Sequence, residues 1–368
     1  MNVPKMRFRE FKNEWKKEKF SQFSYNSGKR NKDNLNLIPY AITNTFGFVP
    51  QNEAHNEFGY MKDTDRKAYN IVTKNSFAYN PARINVGSIG YYSDNEDIIV
   101  SSLYEVFKTK NYINDKFIWY WLKSDKFPKW INRLQEGSVR QYFYYDKLCE
   151  TPVYLPSRNE QEKISNTLEL LDKKIELQSK KIEDLKLFKK GLISKLLNGY
   201  DYENMKIKDV LDFEQPTKYI VDSDEYINDD KAIPVLTANK AFILGYCNEN
   251  NYYDKGDSII FDDFTMDMKY TNFNYKVKSS AIKILTAKEN HDLKFLYELL
   301  LSLNLTSEEH KRHYISTVQE MNVKIPSIEI QKNISSKLNL IDNKIVLEEE
   351  FFNSLIKLKK GLMQNMFV

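Results

Sequence analysis

Residues 156–192 read PSRNEQEKISNTLELLDKKIELQSKKIEDLKLFKKGL, and residues 326–362 read PSIEIQKNISSKLNLIDNKIVLEEEFFNSLIKLKKGL. Shifting the first stretch by 170 positions lays Pro156-Ser157 on Pro326-Ser327 without any gap. The same shift lays Gln161 on Gln331, Ile164-Ser165 on Ile334-Ser335, Asp172 on Asp342, and Lys189-Lys190-Gly191-Leu192 on Lys359-Lys360-Gly361-Leu362. A self-match of this length decides architecture before any local signal does, and it says the chain is built twice on one plan.

Each copy predicts a long helix. Steps of four and three from Ile164 reach Leu168, Leu171, Ile175, Gln178, Ile182, Leu185, Lys189, Leu192 and Leu196. The second copy gives Ile334, Leu338, Ile341, Ile345, Glu348, Phe352, Leu355, Lys359, Leu362 and Met366. Both seams are apolar except at the same two places. A seven-residue apolar repeat held this long is a coiled-coil seam, and the economical partner for each helix is the other. Ser157 followed by Glu160 fits a capping box, and Asn198-Gly199 fits a helix stop. Ile330 replaces the acid in the second copy, which weakens its start signal.

The stretches between the helices are globular. Residues 1–154 carry short β-branched and aromatic runs between turn residues, among them Ile38-Pro39-Tyr40, Ser76-Phe77-Ala78-Tyr79, Gly87 to Tyr92 and Ile98-Ile99-Val100. They predict a curled, mostly antiparallel sheet, with helices near Phe117 to Leu122 and Trp130 to Leu134. Residues 201–325 retrace that path with little identity. Ile233-Pro234 echoes Ile38-Pro39, Gly256 to Ile260 echoes Asn75 to Ala78, and Ser279-Ser280 with Phe295 echoes Ser101-Ser102 with Phe117. The expected plan is therefore α+β, with a pseudo-twofold internal repeat: a globule over 1–154, a helix over 155–200, a second globule over 201–325 and a second helix over 326–368. Similar helices read as a frame, and divergent globules as interchangeable readers.

Net charge is +4 over 368 residues, but its distribution is uneven. Residues 1–154 hold 24 basic and 17 acidic side chains, whereas residues 201–325 hold 15 and 22. The basic first globule is compatible with nucleic acid. In the second, the acids concentrate in 201–267, while 268–325 holds 9 basic and 6 acidic side chains, so the basic half is the one expected to face DNA. Cys149 and Cys247 stand far apart and imply no disulfide framework. Neither a signal peptide nor a membrane-length apolar run is present, and a cytoplasmic protein is expected.

Catalytic signatures are missing. His310 and His313 could share a helix face, yet no third ligand stands at metal-like spacing, so no metal is expected. There is no phosphate loop, dinucleotide fingerprint or nucleophile elbow. Asn80-Pro81-Ala82-Arg83 reads as a turn rather than a methyltransferase motif. Asp262-Asp263 with Asp267 reads as a solvated loop rather than a nuclease site. The composition points to a binding protein.

Two divergent globules alternating with near-repeat helices, each introduced by a Leu/Ile-Pro-x-x-x-x-Gln-x-x-Ile element, resemble the specificity subunit of type I restriction–modification enzymes. The strongest matches are Leu155 to Ile164 and the Leu-x-x-x-Lys-Lys-Gly-Leu endings of both helices. Ile325-Pro326 to Ile334 departs from the family's Glu-Gln pair by carrying Ile330-Gln331, and Thr237-Ala238-Asn239 with Gly245-Tyr246 is similar to the family's second recognition domain. The resemblance implies that each globule is a target recognition domain reading half of a bipartite double-stranded DNA site. It implies further that the helices pair as an antiparallel coiled coil and dock two methyltransferase subunits carrying S-adenosylmethionine, which modify adenine, and that motor–nuclease subunits using ATP and Mg join that core. This chain would itself catalyse nothing and hold no cofactor. A helix of about 36 residues is roughly 54 Å long, which suits two readers on one face of a duplex about one turn apart. A coiled-coil adaptor without DNA binding is the alternative.

Side-chain chemistry selects candidate contacts, because Arg, Asn and Gln can bond base edges in pairs while Lys anchors phosphate. In the first globule these are Lys29, Arg30, Asn80, Arg83, Arg140, Gln141 and Tyr142; in the second, Lys269, Tyr270, Asn272, Lys311, Arg312 and His313.

Overall fold

The computed structural model describes residues 2–54, 66–134, 142–197, 202–223, 225–238, 241–306 and 311–368. Asn198-Gly199, His55 and His310 lie outside them, as do Arg140, Gln141 and Asn239. The chain divides into two compact units: residues 1–178 with 351–368, and residues 179–350.

In the first unit, β1 (Lys16–Lys19) pairs antiparallel with β11 (Pro152–Leu155). A four-stranded antiparallel sheet orders β2 (Ser24–Asn26), β10 (Glu105–Thr109), β7 (Ser76–Tyr79) and β8 (Ile89–Tyr92). A five-stranded sheet orders β3 (Lys29–Arg30), β6 (Asn70–Val72), β9 (Ile98–Val100), β4 (Pro39–Thr43) and β5 (Gly47–Pro50), with β4 and β9 parallel. Helices α1 (Asp115–Lys123) and α2 (Phe127–Leu134) cover the four-stranded sheet's aromatic side. Aromatic rings build the core: Phe77 stacks on Phe107 with centroids 4.9 Å apart, and Trp15, Phe20, Phe117 and Trp121 are all buried around them. Rings of this size bury large apolar areas and settle the packing of such short strands.

Helix α3 (Arg158–Leu197) follows. In the second unit β12 (Glu203–Lys206) pairs antiparallel with β20 (Asn322–Ile325). A four-stranded antiparallel sheet orders β13 (Leu211–Glu214), β19 (Ile282–Ala287), β16 (Ser258–Asp262) and β17 (Met268–Thr271). A three-stranded sheet orders β15 (Ile243–Cys247), β14 (Ile233–Leu236) and β18 (Lys276–Val277), with β14 and β18 parallel. This repeats the first unit's topology, so the echo of Ile38-Pro39 in Ile233-Pro234 falls on equivalent strands. Helix α4 (Leu293–Ser302) takes the place of α1, and both begin at a side-chain cap: Asn114 accepts from the Phe117 N–H and Asp292 from the Phe295 N–H. Helix α5 (Ile328–Asn365) ends the fold.

The seams are those expected, and the helices run antiparallel within each unit. In the first, Lys359 pairs with Asp172, and Lys174 Nζ lies 5.3 Å over the Phe351 ring. In the second, Lys181 meets Glu348 at 2.8 Å and Lys189 meets Asp342 at 2.6 Å. Ile164, Leu168, Leu171, Ile182, Ile334, Leu338, Ile345, Leu355 and Met366 are buried, and Ile175, Leu185, Leu192, Leu196, Ile341, Phe352 and Leu362 are half-buried. Some also serve a globule: Ile164, Leu168 and Met366 belong to the first unit's core, and Ile334 and Leu338 to the second's.

The capping box is only half made. Ser157 Oγ accepts the Glu160 N–H at 3.4 Å, but the Glu160 carboxylate does not turn back to the cap. It is buried, accepting from Arg7 Nε at 2.7 Å and from Trp15 Nε1 at 3.2 Å. At Ile330, the equivalent position in the second unit, the side chain packs against an apolar core, which accounts for the missing acid.

Candidate nucleic-acid interface

The first unit's cleft is built from three backbone bends. Between β2 and β3, Asn26 Oδ1 accepts the Gly28 N–H at 2.9 Å and turns the chain onto β3. Arg30 there donates through Nη1 to the Ala68 carbonyl at 2.6 Å. The second bend spans Asn80 to Ser88. Asn80 Oδ1 accepts the Ala82 N–H at 3.0 Å, the Asn80 N–H donates to the Ser88 carbonyl at 3.1 Å, and Gly87 closes the turn with φ +90°, a conformation that favours glycine. The third bend carries Tyr142 and Tyr144, whose rings lie 4° from parallel with centroids 5.5 Å apart. It is tied to the second by the Phe143 N–H, which donates to the Pro81 carbonyl at 3.0 Å.

These bends enclose an open cleft of about 490 Å³ with Arg30, Asn80, Arg83 and Tyr142 in its lining. Four residues separated by up to 112 positions, all expected to meet nucleic acid, thus share one wall system. Lys29 is exposed on β3 and is not part of the lining. Arg83 is exposed, and its guanidinium makes no hydrogen bond or ion pair among the described residues. Glu105 also lines the cleft; burial raises its carboxyl above the usual range, although the Tyr145 N–H and the Arg30 charge pull the other way. Sequence reasoning missed Asn26, Leu103 and Tyr144 in this lining. The Asn-x-Gly spacing at Asn26 was the available signal, because Asn bonding a backbone N–H two residues on marks a turn.

The second unit's candidates do not converge in the same way. Lys269 and Asn272 are exposed on and just after β17, but Tyr270 faces α4. Its hydroxyl donates to Asp257 and Lys294 Nζ lies 5.0 Å from its ring, while burial raises the phenol well above its ordinary value. Lys311 and Arg312 are exposed, and the Arg312 guanidinium lies 5.8 Å over the Phe264 ring.

His313 is only 5% exposed, so it is not available as a surface contact; its place is structural. The reason is Asp263, which is buried rather than solvated. One carboxylate oxygen accepts the backbone N–H of His313 at 3.0 Å and of Tyr314 at 2.7 Å, and the other meets Lys283 at 3.2 Å. Asp262 likewise caps its own turn by accepting the N–H groups of Phe264 and Thr265. The acidic cluster is therefore a loop anchor. Among the described residues, no group of three or more His, Cys, Asp or Glu side chains is placed to hold a metal ion, and no helix is long and apolar enough to cross a membrane.

The chain is 40% identical over 141 residues to the Escherichia coli type I restriction enzyme EcoR124I/EcoR124II specificity subunit, a match covering 36% of this chain and 35% of that protein. It is 21% identical over 370 residues to the putative type I restriction enzyme MjaX specificity subunit of Methanocaldococcus jannaschii, covering 90% and 87%. The fold is shared with the crystal structure of a type I restriction–modification S subunit from M. genitalium at a TM-score of 0.64, with 16% identity and 100% and 99% of the two chains covered. It is shared too with a chain from a structure of type I R-M complex assembly, at a TM-score of 0.59 and 14% identity over 95% and 96%. The family model described as the type I restriction modification DNA specificity domain matches twice, over residues 11–187 and 200–356, and the chain belongs to that family.

Proposed function

We propose that this chain is the DNA-reading subunit of a type I restriction–modification complex. On this reading it catalyses nothing, and each globule reads one half of a bipartite, asymmetric site. The recognition domains are assigned to residues 1–154 and 201–325, with spacer helices at 155–200 and 326–368. The observation that carries the reading is the cleft in which Arg30, Asn80 and Arg83 meet beside the stacked pair Tyr142 and Tyr144. Cationic and amide donors next to aromatic faces suit base edges and the backbone around them. Lys29, Arg140 and Gln141 are proposed to extend that surface. Lys269, Asn272, Lys311 and Arg312 are proposed contacts for the second reader.

The helices are proposed to dock two methyltransferase subunits. Leu170 and Leu340 are each 69% exposed, and Leu177 and Leu347 are 59% and 60% exposed. These apolar side chains recur at the same repeat positions yet lie outside both seams. Apolar groups left in water on both helices support a protein partner there. S-adenosylmethionine would be held by those subunits, and ATP and Mg by the motor–nuclease subunits.

Co-expression with the partner methyltransferase, followed by methylome sequencing with and without this chain, tests the reading. Adenine methylation at a split motif that disappears with the chain is the expected result. Co-purification with a partner but no sequence-specific methylation or DNA binding would favour a protein adaptor instead.

A further inference from the structure

We propose that the Asn80–Arg83 turn reads a guanine, through its O6 and N7 acceptors, in the half-site of the first globule. The inference rests on the DNA-reading function proposed above and adds a base to it. Its basis is which hand of each amide is already occupied. Asn80 Oδ1 accepts the Ala82 N–H, and because that partner is a donor the oxygen assignment is unambiguous. That bond turns Oδ1 toward its own backbone and leaves both Asn80 Nδ2 donors free to meet a ligand. Asn26, also in the lining, is committed identically, with Oδ1 on the Gly28 N–H. The Arg83 guanidinium has donors alone and engages no partner among the described residues. The rim formed by Asn26, Asn80 and Arg83 therefore offers donors from two turns whose backbones are already hydrogen-bonded.

Donors alone would also suit a phosphate, but the rest of the cleft does not. Glu105 places a carboxyl in the lining, where it repels a phosphate dianion or diester. Leu103 in the same lining is 74% exposed, and Tyr142 and Tyr144 add aromatic surface to it, which suits the edge of a base better than a phosphate. Guanine is the base whose major-groove edge shows two acceptors side by side.

Asn80→Asp tests this directly. The variant keeps an oxygen for the Ala82 N–H and so keeps the turn, but replaces the free donor with an acceptor. In the assembled methyltransferase complex, methylome sequencing should show the preference for one guanine in one half-site falling by about tenfold or more, with cytosine gaining there. The other half-site should be unchanged. Independently, wild-type complex should bind a duplex carrying 7-deazaguanine in that half-site about fivefold or more weakly than the natural duplex. An Asn80→Asp motif identical to wild type, a loss spread evenly over all sequences as for a phosphate anchor, or indifference to 7-deazaguanine would each overturn the proposal. Wild-type complex that methylates no split motif at all would instead overturn the DNA-reading function.

Discussion

Gln161 holds Asn114 in place: its Oε1 accepts the Asn114 backbone N–H at 2.8 Å while its Nε2 donates to the Pro156 carbonyl at 3.0 Å. Gln331 does the same for Asp292 and Pro326, both at 2.9 Å. Asn114 and Asp292 are the caps of α1 and α4, so one buried amide locks the start of a globule's helix to the foot of a long helix. This is why a glutamine stands five residues after the proline in both copies. Gln161→Leu should leave a buried N–H and a buried carbonyl unpaired and cost about 2 kcal/mol or more by denaturant unfolding, with Gln331→Leu costing a similar amount. An unchanged midpoint in both would show that water replaces the amide.

The polar breaks in the two seams carry a second prediction. Lys189 bonds Asp342 and also Glu298 at 2.8 Å, and the Glu298 side chain is 2% exposed. Lys359 meets Asp172 at the equivalent place, but there Tyr120 stands where Glu298 does and donates its hydroxyl to Asp172 at 2.8 Å. Lys189→Met leaves a buried carboxylate whose remaining cation among the described residues is Lys294, at 3.5 Å, and should cost about 3 kcal/mol. Lys359→Met leaves a carboxylate that is 37% exposed and still bonded to tyrosine, so about 1 kcal/mol or less is expected. Burial lowers the Lys189 pKa, but its bonds to Asp342 and Glu298 outweigh that and hold it above the ordinary 10.5. Its contribution is therefore complete at neutral pH and is lost only as pH rises through that higher value. Equal costs for the two substitutions would contradict this account.

The helices were legible because period and repeat survive in a linear sequence. The partners of the seam breaks were not, since pairing Lys189 with Asp342 requires the antiparallel register. Glu160 was misjudged for a related reason: a local capping rule could not foresee capture by Arg7 and Trp15, about 150 positions away. Part of the cleft's lining was legible, because turns gather Gly, Pro and Asn, but Asn26, Leu103 and Tyr144 were not. Tyr270 and His313 were not, since one is covered by α4 and the other is drawn inward by a buried aspartate.

That aspartate supplies a third prediction. Asp263 fixes the start of the loop carrying Arg312 and leaves Lys283, 1% exposed at its side chain, without its charge partner when removed. Gln215 still accepts from Lys283 at 2.9 Å but cannot neutralise it. Asp263→Ala should cost roughly 3–5 kcal/mol, measured by thermal or denaturant unfolding. Arg312→Ala should leave stability within about 0.5 kcal/mol and weaken only DNA binding by the assembled complex. A stable Asp263→Ala protein would mean the pair is dispensable.

Glycine in the Lys-Lys-Gly-Leu motif has no internal explanation. A Cβ on Gly191 or Gly361 would meet nothing within 4 Å, yet glycine inside a helix costs about 1 kcal/mol relative to alanine. The destabilising residue is nonetheless present in both copies, on the same two helices as the exposed leucines proposed to receive methyltransferase subunits. Close approach of a partner backbone is a physical reason to omit a side chain there. Gly191→Ala and Gly361→Ala should each stabilise the isolated chain by roughly 0.5–1 kcal/mol in thermal unfolding. The double variant should nevertheless co-purify with less methyltransferase than wild type. Greater stability together with undiminished assembly would remove these glycines from the docking surface and leave only the leucines on it.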